Sequence, residues 1–297
     1  MHIAVIVKGE VAIKRNDRPM GYFSYSVKED AGFTWAFIAP GKRFVIDTKK
    51  LRAEGFDLII HEDFGTPGTY VGDKIPMVYL DIDSTLSDYH YQTRRSIAAQ
   101  AALILVDQAP LDAFSCVGTQ QVYRFNYCVN DRAFTPGVPQ GQRDLDVVLH
   151  QGKGDSWTRQ LLRFAAPEAC KGLGVSFLGG VVGMPQYAQD FGRAKVVLNW
   201  PRATTNRPHR VFDAMACGAA VLTGPLPDVS EDDRRPGEHY RVYQDWAGLT
   251  RQLHSLVLDG EWREVAAAGQ RLVLERHTWA IRARQLRAIL QEVGLWR

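Results

Sequence analysis

A cation and a carboxylate lie three residues apart at the start of a predicted helix in the second half of the chain. The helix is predicted over 208–217, with Gly218 supplying its C-terminal turn and an apolar strand following at 219–223. Arg210, together with the free N–H groups of the first helical turn, can bind a phosphate group. Asp213 is expected early in the helix, where a carboxylate favours the macrodipole and can accept hydrogen bonds from the hydroxyls of a ribose. A surface arginine and a helix-stabilising aspartate are the structural alternatives.

Glycines and cations also follow another predicted strand, at 145–150. Gly152 allows the backbone to approach a ligand closely, while Lys153 and Arg159 supply positive charge for a diphosphate. The alternative is a glycine-rich turn with a solvated lysine. Gly179 follows the next predicted strand and is expected to let a nucleotide base approach.

Carboxylates end a buried strand in the first half of the chain. Asp81 and Asp83 follow the predicted strand 76–80, and one of them can act as a general base. Their Asp-x-Asp spacing can also chelate a hard cation. His61, which opens the triplet His-Glu-Asp after the strand 56–60, is the second candidate for the base. Simple capping of a helix or loop is the structural alternative for either group.

Short apolar runs alternate with helical stretches in both halves, which predicts parallel α/β sheets covered on both faces. We predict a Rossmann-like domain over 1–130, a linker rich in proline and glycine over 131–143, a second Rossmann-like domain over 144–277 and a final helix over 278–297. The stretch 9–42 has weak periodicity and is not assigned. In such sheets ligands bind beyond the carboxyl ends of the strands, where every candidate above lies.

The composition is that of an ordinary globular protein, with 45% hydrophobic residues and a net charge of +3. The four cysteines show no metal-ligand spacing, which favours reduced thiols. No apolar run is long enough to span a bilayer and the start lacks a cleavage site, so a cytoplasmic location is expected. Residues 1–52 carry ten Lys/Arg against five Asp/Glu. This excess can attract an anionic acceptor, or it is a solvated surface.

The stretch Arg210–Leu222 carries a recognisable motif: Asp213 is followed by Ala-Met-Ala-Cys-Gly, a small residue and a hydrophobic strand. It resembles the donor-binding motif of GT-B glycosyltransferases. More closely, the chain is similar to the glycosyltransferase-like group that includes spore-maturation proteins, from about 144 to 284. Three further segments carry the resemblance in the same order: Tyr127–Pro136, Met184–Asn199 and Glu275–Arg282.

The resemblance implies two Rossmann-like domains facing across a cleft, with the C-terminal helix crossing back to the first domain. It implies a glycosyltransferase (a hexosyltransferase) whose second domain binds a nucleotide-sugar donor, a UDP-sugar by family frequency, and whose first domain binds a hydroxyl acceptor. The catalytic base is expected among Asp81, Asp83 and His61. No metal or other cofactor is expected, because cationic side chains can neutralise the leaving diphosphate. The implied donor-binding residues are Gly152, Lys153, Arg159, Gly179, Asn206, His209, Arg210 and Asp213.

One position departs from the pattern. Retaining members commonly carry a glutamate eight residues before the helix carboxylate, and Thr205 stands there, beside Asn206. The stereochemical outcome therefore stays open, as do a nucleotide-sugar epimerase-like enzyme and an inactive nucleotide-sugar-binding module. The acceptor is also open: a modified base in viral DNA, which would have to be flipped out of the duplex, a polysaccharide, a protein or a small molecule.

Overall fold

The computed structural model describes residues 1–6, 27, 29–38, 44–63, 68–72, 75–81, 94–107, 114, 121–150, 157–201, 208–226 and 234–296. These residues fall into two compact units. Unit 1 holds the described residues up to Cys128 together with those from Trp279 onward, and unit 2 holds Val129–Thr278.

Unit 1 is built on a six-stranded sheet in which every neighbouring pair is parallel. With the strands of unit 1 numbered in chain order, this sheet runs from the second strand to the first, fourth, sixth, seventh and eighth. A separate pair of parallel strands lies beside a short helix whose N-terminus is capped by the Asp47 carboxylate. The elements are β1 (His2–Ile6), β2 (Thr34–Ile38), β3 (Phe44–Asp47), α1 (Thr48–Ala53), β4 (Leu58–Asp63), β5 (Gly68–Val71), β6 (Met77–Asp81), β7 (Leu103–Val106) and β8 (Gln121–Arg124).

Burial explains the apolar runs that predicted these strands. Every residue of β6 and of β7 is buried, as expected for central strands of a parallel sheet covered on both faces. The core of unit 1 joins Ile59, Tyr79 and Ile104 from three adjacent strands. The strands β2, β3 and β5 lie where the sequence predicted nothing.

Unit 2 is a second all-parallel sheet, with five strands in the order β10-β9-β11-β12-β13. Helices alternate with these strands, as predicted. The elements are β9 (Leu145–His150), α2 (Trp157–Leu173), β10 (Phe177–Gly180), α3 (Met184–Arg193), β11 (Ala194–Asn199), α4 (His209–Ala216), β12 (Ala220–Thr223), β13 (Arg241–Val242), α5 (Trp246–Leu253) with a π-helical turn to Leu258, and α6 (Trp262–Arg276). Its core packs Val147 and Leu198 of the sheet against Trp262 of α6.

Gly218 ends α4 as the sequence predicted. Its φ of +74° is in the left-handed region, and its N–H donates to the carbonyl of Met215. A Cβ at this position would lie 2.7 Å from Gln270 Nε2 and 2.9 Å from Arg143 Nη2, so a side chain there would also have to displace the ends of these two side chains. The neighbouring Ala-Met-Ala-Cys residues are buried, which makes this part of the motif a packing element.

The final helix, α7 (Trp279–Glu292), belongs to unit 1. Arg282 fixes it there, because its Nε donates to the carbonyl of Asn126 (2.6 Å) and its Nη2 to that of Tyr127 (3.2 Å). The break between α6 and α7 falls at His277 and Thr278, within the predicted interval. The last helix therefore groups with the first unit, as the resemblance implied.

Within the described parts of the chain, the helices are too short or too polar to cross a bilayer.

Candidate functional site

The carboxyl edge of the unit 2 sheet brings polar side chains together on neighbouring strands. His150 ends β9, Asn199 ends β11 and Thr223 ends β12, and all three are buried. The sheet order places β10 on one side of β9 and β11 on the other, so the strand order reverses between β9 and β11. Such a topological switch point is where open α/β sheets bind ligands.

A hydrogen-bonded chain crosses this edge. Asn199 Nδ2 donates to Thr223 Oγ1 at 2.8 Å, and Arg210 Nη1 of α4 donates to Asn199 Oδ1 at 3.2 Å. Arg210 also lies close enough to the hydroxyl of Tyr187 on α3 to lower its pKa. Among the described residues, no carboxylate lies within ion-pair distance of this half-buried guanidinium. The first turn of α4 therefore presents an oriented cation at the strand ends, as predicted for a phosphate-binding group.

The pKa of the Tyr187 hydroxyl depends on the charged groups around it. Burial raises the pKa of its hydroxyl, the nearby Asp213 carboxylate raises it further, and Arg210 works in the opposite direction. The three side chains thus lie within electrostatic reach of one another. Their arrangement joins the two residues of the motif that the sequence singled out for chemistry.

The prediction that Asp213 lies early in its helix is wrong. The helix begins at His209, its first turn contains no acidic residue, and Asp213 is its fifth residue. The side chain is fully buried, so stabilisation of the helix dipole does not account for it. Its charge acts on Tyr187 and on Cys217, whose pKa it helps to raise after burial.

A buried histidine and aspartate form the other half of this edge. His150 Nε2 lies 2.7 Å from Asp190 Oδ2, and Gln186 Nε2 donates to Asp190 Oδ1 at 2.8 Å. The imidazole stacks on Phe191, and its Nδ1 is buried with no hydrogen-bond partner among the residues that the structure describes. Buried polar atoms are normally satisfied in folded proteins, which marks this nitrogen as a candidate ligand contact.

The remaining predicted contacts in unit 2 are placed as follows. Arg159 of α2 is buried, and its Nε donates to the carbonyl of Trp200 just beyond β11. Gly179 lies exposed in β10, where a Cβ would clash with the ring of Phe177. His209 is the first residue of α4 and is half-buried. The predicted contacts Gly152, Lys153 and Asn206 lie outside the described residues, as does Thr205.

Unit 1 places two of the three candidate bases on adjacent strands of its sheet. The prediction that His61 follows its strand is wrong, because β4 continues to Asp63 and His61 lies within it. Asp81 ends β6, is fully buried and faces Arg94 Nη1 at 3.6 Å. His61 lies on the adjacent strand β4, with its Nδ1 at 2.6 Å from the hydroxyl of Tyr70 and its ring stacked on Tyr79. Because side chains alternate along a strand, Asp81 points to the same face as Tyr79. Asp83 lies outside the described residues.

Sequence reasoning missed Asn199, Thr223, Tyr187 and the pairing of His150 with Asp190. The available signal was their position, since three of them end buried strands. In the described part of the chain, no group of three or more His, Cys, Asp or Glu side chains is arranged to hold a metal ion.

Residues 142–288 match a family model described as "Glycosyl transferase-like", which is 147 of the 297 residues. No curated protein sequence gives a significant match. Among solved structures, the sucrose-phosphate synthase of Thermosynechococcus elongatus has a TM-score of 0.64 and 13% identity, with 99% of both chains covered.

Two further structures are similar. Anabaena HepE, solved with UDP and glucose, has a TM-score of 0.61 and 14% identity, and the match covers 98% of this chain and 100% of that one. The pneumococcal O-GlcNAc transferase GtfA, solved with UDP and GlcNAc, has a TM-score of 0.58 and 11% identity, over 82% of this chain and 59% of that one.

These findings confirm the GT-B fold over the length of the chain. The family match confirms the prediction of a glycosyltransferase. The matched residues, 142–288, include the polar side chains at the carboxyl edge of the unit 2 sheet. They do not single out the spore-maturation-like group.

Proposed function

We propose that the chain transfers a sugar from a UDP-sugar to a hydroxyl acceptor. The observation that carries this proposal is Arg210, a cation held by neutral partners beside the topological switch point of unit 2. A diphosphate needs such a group as it leaves the sugar, because negative charge develops on the oxygen of its terminal phosphate as the bond to the anomeric carbon breaks. The structural relatives solved with UDP and a sugar support uridine as the nucleoside.

Donor binding is assigned to unit 2. Arg210 contacts the diphosphate and Asp213 the ribose, with His209 and Gly179 beside them. Lys153, Gly152, Asn206 and Arg159 complete the proposed set from the sequence. A cationic side chain such as Arg210 can stabilise the negative charge of the leaving diphosphate, so we propose a reaction that needs no added metal or other cofactor. Activity should then persist in excess EDTA.

The catalytic base is assigned to unit 1. Asp81, which ends β6, and Asp83, two residues further along the chain, are our first candidates, and His61 within β4 is the second. Removing the base should lower kcat by about 10²–10⁴-fold while leaving donor affinity unchanged. Parallel kinetics of Asp81→Asn, Asp83→Asn and His61→Gln will identify it, and three normal kcat values would remove the assignment.

The acceptor is the finer part of the proposal. The cationic excess in residues 1–52 favours an anionic polymer, such as DNA carrying a hydroxylated base. Transfer to such an acceptor should fall steeply with salt, whereas transfer to a neutral saccharide should not. We also propose a cytoplasmic location and kinship with the spore-maturation-like group, on the sequence arguments given above.

The direct experiment incubates the protein with radiolabelled UDP-, GDP- and ADP-sugars, with and without candidate acceptors. Transfer, or slow hydrolysis of one donor, is expected. Interconversion of the sugar in donor alone would instead show an epimerase-like enzyme. Nucleotide-sugar binding without turnover under any acceptor would show an inactive binding module. Absence of both binding and turnover would overturn the proposal.

A further inference from the structure

Asn199 connects the edge of the unit 2 sheet to the cation of α4. We propose that Asn199 is a positioning residue, which orients Arg210 toward the donor diphosphate without neutralising its charge. This inference rests on the proposed function, since it concerns how the same site binds its donor.

The orientation of the Asn199 amide follows from the chemistry of its neighbours. A guanidinium only donates hydrogen bonds, so the amide oxygen must face Arg210, and it does so at 3.2 Å. The amide nitrogen then needs an acceptor, which Thr223 Oγ1 supplies at 2.8 Å. Asn199 and Thr223 are register partners on adjacent strands, and both are fully buried. The amide therefore has one orientation, and its oxygen holds the Arg210 guanidinium in a fixed position.

The neutrality of Asn199 separates this pair from two cations of the unit that meet carboxylates. Lys195 lies 2.6 Å from the carboxylate of Asp146, and Arg193 pairs with that of Asp144. A carboxylate would bind Arg210 more strongly than an amide does. It would also cancel the charge that a diphosphate must meet, at a position where the low dielectric makes that charge count.

Tyr187 extends the same design. Its hydroxyl lies within electrostatic reach of Arg210, and burial raises its pKa further above its ordinary value, so it is neutral at physiological pH. The guanidinium is thus held by the neutral oxygen of Asn199 and has a second neutral side chain nearby. Its net charge remains available for a ligand.

Asn199→Asp tests the proposal, because it keeps the shape of the side chain and changes its charge. Affinity for the nucleoside diphosphate that the wild type binds best, among UDP, GDP, CDP and ADP, should fall about 10- to 100-fold. Affinity for the matching nucleoside, which lacks phosphates, should not change. Both are measured by ligand-observed NMR or calorimetry.

Asn130→Asp is the matched control. Asn130 lies in the same unit, and its Oδ1 accepts from the backbone N–H of Arg132 at 3.2 Å, a bond that an aspartate can also accept. It adds the same charge without changing the Asn199–Arg210 hydrogen bond, so diphosphate affinity should stay within about twofold of wild type. In an Arg210→Gln background, Asn199→Asp should have little further effect, because its action passes through Arg210.

Thr223 provides a second route if Asn199→Asp fails to fold. Thr223→Val removes the acceptor for the amide and should weaken diphosphate binding about threefold, while Thr223→Ser should restore it. If the wild type binds a nucleoside diphosphate and Asn199→Asp or Thr223→Val binds it with the same affinity, this inference alone is overturned. A wild type that binds no nucleoside diphosphate overturns the proposed function itself.

Discussion

The two ends of the unit 2 sheet treat charge in opposite ways. At the amino end, Arg143 donates to the carbonyls of Ala194 and Cys217, where α3 and α4 finish, and Lys195 pairs with Asp146. At the carboxyl end, Arg210 meets an amide oxygen near a neutral phenol, and one nitrogen of His150 has no hydrogen-bond partner in the described part of the chain. At the amino end, charged side chains bind groups of the protein itself. At the carboxyl end, the charge of Arg210 remains available to a ligand.

This difference teaches how to separate structural cations from ligand-binding ones in one small domain. Carbonyls at helix C-termini carry partial negative charge and need donors, so Arg143 completes the fold. Arg210 lies at the opposite helix terminus, where no such need exists. Substitutions at the amino end should therefore change stability, and those at the carboxyl end should change donor binding.

Arg143→Met should have the largest effect. Burial lowers the pKa of Arg143, yet the guanidinium satisfies carbonyls that would otherwise lose their donors in the interior. We expect a loss of about 3 kcal/mol in the free energy of unfolding, measured by urea denaturation. Diphosphate affinity of the folded fraction should be unchanged. Arg193→Met, which breaks an exposed pair, is the control and should change stability little.

Arg210→Gln should reverse that pattern. The variant keeps a hydrogen-bond donor for Asn199 and loses the charge, so kcat/KM for the UDP-sugar should fall about 100-fold. The urea midpoint should move little, because the side chain is half-buried and pairs with no carboxylate in the described residues. Steady-state kinetics and denaturation on the same preparation decide this. Normal kcat/KM combined with lowered stability would place Arg210 in the same structural class as Arg143.

The sequence predicted the framework of this comparison better than its details. Apolar runs such as those of β6 and β7 are continuous because both faces of each strand are buried, and composition alone reveals them. The strand β3 was missed, since it belongs to a two-stranded sheet and its Val45 is 68% exposed. Burial there alternates, with Val45 exposed and Ile46 buried, and does not form the continuous buried run that marks β6 and β7.

The site was predicted in part for similar reasons. Arg210 and Asp213 stand in one local motif, which sequence can show. Asn199 and Thr223 reach Arg210 only because adjacent strands share a register, and that is a tertiary fact. The position of Asp213 was misjudged although the helix start was predicted to within one residue, because the carboxylate stands just beyond the first turn, at the fifth residue after the Pro208 cap.

Asp190→Asn should have a smaller effect on the carboxyl end. His150 Nε2 contacts this carboxylate, so its loss should turn the imidazole and weaken binding of the preferred nucleoside diphosphate about tenfold. Gln186→Leu removes the bond to the other carboxylate oxygen and should leave affinity nearly unchanged. Calorimetric titration measures both. If Asp190→Asn lowers stability without touching affinity, His150 belongs with the structural residues.

Lowering the pH should distinguish the two ends of the unit 2 sheet, and we expect this effect to be the smallest of the four. Burial alone would raise the pKa of Asp146, but hydrogen bonds from Lys195 and Ser176 outweigh it, and the folded pKa lies below the ordinary value. A carboxyl group with a depressed folded pKa stabilises the protein above its unfolded pKa of about 4, and that contribution is lost as the pH falls through the folded pKa. We expect Asp146→Asn to cost about 1 kcal/mol at pH 7 and almost nothing near pH 2, in urea denaturation at each pH. Because Asp146 lies at the closed amino end, diphosphate affinity at pH 7 should be the same in both proteins. A weaker affinity in Asp146→Asn would show that the two ends are coupled, and the division between them would fail.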